Sequence, residues 1–119
     1  MIKHHFEEML EQIYAAFNAR DIDTATQFMC SDVDWPNGME GGRIYGHGGI
    51  REYWTRQWGL IDPLVTPLGF VTTNDGRIDV EVHQVVRDLD GNLLKEAIVH
   101  HIYTFDDGLI KAMEIIDKV

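Results

Sequence analysis

A single cysteine, Cys30, stands in 119 residues, so no intrachain disulfide can form and a reducing compartment is expected. With no basic neighbour, Cys30 reads as a small buried hydrophobe and not as a nucleophile. Positive charge is scarce as well: ten lysines and arginines stand against twenty acids, a formal net charge of -10. The acids are spread along the chain without forming a tail, which argues against nucleic acid and anionic membranes as partners. No apolar run approaches the length of a membrane span, and the opening MIKHHFEEML carries two glutamates where a signal peptide needs an unbroken apolar stretch. The expected location is therefore cytoplasmic. Also missing are a P-loop, a dinucleotide fingerprint, zinc-ligand spacing and a Gly-x-Ser-x-Gly elbow. No cofactor and no metal is expected, and redox and phosphoryl chemistry are disfavoured.

What is present fits one domain over residues 1–119, long enough for a single core. Ile2, Phe6, Met9, Leu10, Ile13, Tyr14 and Phe17 recur at helical spacing between Glu7, Glu8 and Glu11, which predicts an amphipathic helix over 2–19. Asp21 offers an N-cap to a shorter helix carrying Ile22, Ala25, Phe28 and Met29. A third helix follows YGHGG, with Ile50, Tyr53, Trp54 and Trp58 on one face, and stops near Gly59 and Pro63.

From residue 64 the period changes to two. RIDVEVHQVVRD alternates Ile78, Val80, Val82, Gln84 and Val86 against Asp79, Glu81, His83, Val85 and Arg87. Turns at Asp75-Gly76, Asp90-Gly91 and Asp107-Gly108 divide the rest into an antiparallel meander of four long strands. Long twisted strands must curl, and Pro67 and Gly69 mark a place for the first to bend. The expectation is an α+β fold: a curved antiparallel sheet wrapped around the N-terminal helices as a cone, with an internal pocket.

The stretches YAAFNARDID, SDVDWP, GHGGIREYW, VHQVVRD and HHIYTFDDGLI, in that order, resemble the nuclear transport factor 2-like superfamily and, within it, the SnoaL-like and ketosteroid-isomerase-like bacterial branch. The resemblance spans nearly the whole chain. It is specific for fold and weak for activity, because this fold hosts isomerases, cyclases, dehydratases and binding modules. Ketosteroid isomerase works with an aspartate base and an oxyanion hole of a tyrosine and a protonated aspartate. Those positions fall here on Asn37, Ile13 and His101, so no member of the set survives and authentic steroid isomerase activity is not expected.

His101 is the leading candidate for chemistry. Strand alternation sends His100 and His101 to opposite faces, and the superfamily register implies that His101 points inward with Val99 and Tyr103. An imidazole there titrates near neutrality and serves as acid or base, or else it is a buried histidine bonded to a neighbouring hydroxyl. Gln84 interrupts an apolar face and must orient His101 or fix a substrate carbonyl. Asn37 shares the parity of Trp35; it either donates to a carbonyl or is a turn residue before Gly38. Trp35, Trp54, Trp58, Tyr53 and Tyr103 line the cavity as a hydrocarbon wall or fill the core, and Tyr14 is core with its hydroxyl satisfied unless the helix register shifts.

On the other sheet face Asp79, Glu81 and His83 form a strip with no clear further metal ligand. The resemblance implies instead that this face forms a homodimer. Two functions remain open. One is a cofactor-independent isomerase, cyclase or dehydratase acting by acid-base chemistry on a small apolar carbonyl compound. The other is a non-catalytic dimeric module that binds a small molecule.

Overall fold

The computed structural model describes residues 5–116, so the expectation for Ile2 lies outside it. The N-terminal periodicity forms α1 (His5–Asn18), which buries Met9, Leu10, Ile13, Tyr14 and Ala16. Asp21 caps α2 (Ile22–Thr26) by accepting the Thr24 N–H at 3.2 Å. This helix is shorter than its apolar pattern suggested, since Phe28 and Met29 leave it. The cause is sheet pairing: the Ile110 N–H donates to the Phe28 carbonyl at 2.9 Å, and Met29 opens β1 (Met29–Pro36).

After β2 (Arg43–Tyr45), the chain turns at Gly46 into α3 (Gly46–Trp58). Gly46 has a φ of 77°, and a Cβ there would sit 3.2 Å from the Ser31 carbonyl oxygen, so glycine alone fits without strain. The meander follows as β3 (Ile61–Thr72), β4 (Ile78–Asp88), β5 (Leu93–Asp106) and β6 (Leu109–Ile116). Asp107 and Gly108 both take positive φ, the geometry of a two-residue hairpin turn.

The six strands form one curved, unclosed sheet in the order β2-β1-β6-β5-β4-β3, antiparallel except for the β1–β6 pair. The register of β3 on β4 slips between Pro67 and Gly69, where proline and glycine had marked a bend. Leu68 is the extra residue, so Val65 and Phe70 face the same core across it although their spacing is odd. The concave face buries Ile78, Val80, Val82, Val99 and Tyr103 against α1 and α3. Cys30 is only half-buried, with Sγ 3.9 Å from the Asp106 carbonyl oxygen, because its parity in β1 turns it off the core side that holds Met29.

β3 is an edge strand, and its exposed backbone at Val65 is covered by a side chain. Asn18, at the end of α1, donates Nδ2–H to the Val65 carbonyl at 2.8 Å and accepts the Val65 N–H at 3.0 Å. One amide therefore both ends the helix and fixes the distance between α1 and the rim of the sheet.

Candidate functional site

Between α1, α3 and the concave sheet lies a hollow lined by Ile13, Tyr14 and Phe17 from α1, by Tyr53, Trp54 and Gln57 from α3, and by Trp35, Pro36, Pro63, Val65, Gln84, His101, Tyr103, Met113 and Ile115 from the strands. Its cavity volume is about 80 Å³, and all the space between its walls, open solvent included, is about 590 Å³. The smaller figure decides what can be swallowed whole. A dry cavity of roughly 150 Å³ holds a benzene ring, so a ring-sized guest here must extend into the mouth.

Three side chains form one hydrogen-bonded line across the wall. The Tyr103 hydroxyl donates to the Tyr14 hydroxyl at 2.9 Å, and Tyr14 stands 2.7 Å from His101 Nδ1. All three are buried, at 1%, 4% and 8% exposure for Tyr103, Tyr14 and His101. Since Tyr103 donates to Tyr14, Tyr14 passes its own proton to Nδ1, and the imidazole is the neutral tautomer with its proton on Nε2. Burial, reinforced by the nearby charge of His100, lowers the His101 pKa to about 4. Burial likewise raises both tyrosines above their ordinary range. At neutral pH the line carries no charge, and this tautomer leaves Nε2–H as the ring donor that Tyr14 does not use.

This geometry corrects the expectation that His101 titrates near neutrality. The desolvated ring is a weak base at pH 7, but a neutral imidazole N–H is a suitable electrophile toward a carbonyl oxygen. It also identifies the group that orients the ring. Gln84 lines the hollow but makes no hydrogen bond to His101, and Tyr14 holds the ring instead. In the sequence, Tyr14 looked like a satisfied core tyrosine, and its hydroxyl is indeed satisfied; what periodicity does not show is that its acceptor lies 87 residues away on β5.

Asn37 does not reach the hollow. Its Oδ1 accepts the N–H groups of Met39 and Glu40 at 3.1 and 2.8 Å, and its Nδ2–H donates to Glu40 Oε1 at 2.9 Å, so both ends of the amide close the turn before the glycines. Trp58 is also displaced. It packs on Phe17 and Trp54 from outside the hollow, with the Arg20 guanidinium 5.0 Å over its ring. Trp35, Trp54, Tyr53 and Tyr103 line the wall, and Trp35 meets Trp54 and Tyr103 edge to face at 5.8 and 6.2 Å. Tyr53 is tied to the glycine loop by the Gly38 N–H, which donates to its hydroxyl at 3.0 Å.

Gln57 escaped the sequence reading because an amide on a helix face beside Arg56 and Trp58 looks like ordinary surface. Arg43 and Asp34 are paired at 2.6 Å between β2 and β1, and Arg43 also donates to the Met113 carbonyl at 2.7 Å, which ties β2 to β6. No carboxylate or cation lines the hollow. On the outer face His100 pairs with Asp79 and His83 with Glu96, both at 2.7 Å, and no group of three metal-ligating side chains occurs among the described residues.

Comparison with known proteins agrees with this architecture. A family model described as a SnoaL-like domain matches residues 10–113. The crystal structure of TerC co-crystallised with polyporic acid is similar at 30% identity and a TM-score of 0.80, over 93% of this chain and 89% of that one. An NTF2-like protein of unknown function from Burkholderia pseudomallei shares the fold at 22% identity and a TM-score of 0.83, over 98% and 92% of the two chains. So does a hypothetical protein with a ketosteroid isomerase-like fold from Catenulispora acidiphila in complex with trimethylamine, at 12% identity and a TM-score of 0.79, over 94% and 86% of the two chains. No curated protein matches. No helix among the described residues is long and apolar enough to cross a membrane.

Proposed function

Because this chain belongs to the SnoaL-like domain family, we propose that its hollow holds a compact apolar carbonyl compound, whose oxygen accepts the His101 Nε2–H in a cofactor-independent reaction of the isomerase or cyclase type. The observation that carries this reading is the Tyr103–Tyr14–His101 line, which sets the ring's tautomer and orientation before any ligand arrives. A donor already in place costs no reorganisation when negative charge develops on the carbonyl oxygen. The adjacent proton exchanges with solvent at the open mouth, and the aromatic walls hold the hydrocarbon. TerC's co-crystal with polyporic acid supports a small-molecule occupant for this fold.

The test is hydrogen exchange at the carbon next to the carbonyl, followed by proton NMR in D2O over a panel of small cyclic ketones and lactones. The expected result is exchange above the buffer rate, falling by roughly 10²–10³ in His101→Phe, the usual cost of losing one oxyanion donor. His101→Gln, which keeps an N–H donor, should retain part of the rate. A second reading, a pure binding module, draws support from the lack of any carboxylate in the lining. Ligand-induced shifts of the imidazole with no exchange above buffer would establish that reading and exclude the first.

The outer face of the sheet exposes Leu64, Leu68, Val71 and Ile98 among its charged residues, and we assign it to the contact in a homodimer. Sedimentation should then find a dimer that Ile98→Lys converts to monomer; a monomeric wild type would end this assignment.

A further inference from the structure

Gln57 sits in the last turn of α3 and lines the hollow beside Tyr53 and Trp54. Its Nε2–H reaches the Tyr53 hydroxyl only at 3.5 Å, while Oε1 is sealed from solvent with no hydrogen-bond partner. A bare buried acceptor is costly, and apolar residues of similar length would fill the same space without that cost. Turning the amide over does not remove the problem. Oε1 would then accept the Tyr53 O–H, whose oxygen already takes the Gly38 N–H, and Nε2 would be the orphan. In either orientation one amide atom of this lining residue is left without a protein partner.

The hollow thus has polar side chains on three elements, Gln57 on α3, Gln84 on β4 and His101 on β5, with apolar side chains such as Trp54, Trp35 and Ile13 also in its lining; Gln57 and His101 form two of its polar poles. The His101 pole is a donor and takes a carbonyl oxygen. The Gln57 pole must be matched by a group that serves either amide orientation, and a hydroxyl, both donor and acceptor, does so. A charged amine or carboxylate is excluded, since no ion in the lining would compensate it. We propose that Gln57 is a specificity-determining residue that binds a hydroxyl of a neutral hydroxy-carbonyl ligand while His101 binds its carbonyl. The inference rests on the reading of the hollow given above.

The experiment uses cyclohexanone and 3-hydroxycyclohexanone as matched probes. Their binding to the wild type, Gln57→Met and Gln57→Leu is followed by NMR of the His101 imidazole and, in the wild type, of the Gln57 side-chain amide. The expected result is that the wild type binds the hydroxyketone at least about tenfold more tightly, the worth of one good hydrogen bond, with a shift of the Gln57 amide that cyclohexanone does not cause. Both variants should bring the ratio close to one, keep their affinity for cyclohexanone and melt no lower than the wild type. If cyclohexanone binds but the ratio is the same in all three proteins, the role of Gln57 is overturned and the carbonyl reading stands. Variants that melt far below the wild type would show a structural amide and overturn it too. If neither probe moves the His101 imidazole, the carbonyl reading fails and the inference with it.

Discussion

Lowering the pH from 7 to 4 should cost the native state about 3 kcal/mol through His101 alone, and that part of the loss should be missing from His101→Gln. The folded pKa is depressed to about 4 from the ordinary 6.5, chiefly by burial and secondarily by His100. As pH falls through 6.5 the unfolded chain takes up a proton that the folded one refuses. Stability therefore drops by about 1.4 kcal/mol per pH unit until the folded ring titrates as well. Above 6.5 both states are neutral and the contribution is flat.

The choice of glutamine matters, because its amide oxygen can still accept the Tyr14 proton, whereas an apolar replacement would strand that hydroxyl. Carboxylates held below their usual range also weaken the fold in acid, among them Asp75, through its hydrogen bond from Thr73, and Asp88, through that from Asn92. Both proteins share them, so they cancel in the comparison. Urea unfolding at pH 7 and pH 4 provides the measurement. Equal acid losses in wild type and variant would mean that the ring is hydrated and that the neutral-donor chemistry built on it is wrong.

Trp54→Ala should cost about 3–5 kcal/mol, a large part of the 5–15 kcal/mol that stabilises a typical domain. Trp54 is 2% exposed and lies where three aromatic contacts meet: Phe17 at 5.0 Å and Trp35 at 5.8 Å edge to face, and Trp58 at 5.7 Å. Its removal leaves a void that rigid neighbouring rings cannot fill by small shifts, so the cavity cost adds to the lost burial. The melting temperature should fall by roughly 10–20 °C. Trp58→Ala, at a half-buried ring covered by Arg20, should cost clearly less. If the two variants lost equal stability, Trp54 would not be the packed wall described here.

Much of the fold was legible in the residues. The period of α1, the Asp21 cap, the three Asp-Gly turns, the alternation of β4 and the bend at Pro67-Gly69 each depend on local chemistry, which a sequence states directly. The family pattern supplied the inward register of β5. The end of α2 was not legible, because the apolar spacing of Phe28 and Met29 suits a helix equally well, and pairing with Ile110, more than 80 residues later, settled the matter. Parity misled at Asn37: it predicts the face of a residue only while the strand continues, and β1 stops at Pro36.

What the sequence by itself determined about this protein is its architecture, an abundance of aromatics for a wall, and the alternation that sets His101 against His100 and Gln84 against His83; the family pattern chose which of each pair faces inward. Periodicity, turns and caps are properties of neighbouring residues. Only the tertiary structure decided the chemistry of that wall. The acceptor role of Nδ1, the neutral state of the ring, the loss of Asn37 to a turn and the unpartnered amide of Gln57 each depend on an atom brought close by folding or sealed from water by it. Hydrogen bonding and desolvation act across a few ångströms of space, whatever the distance along the chain.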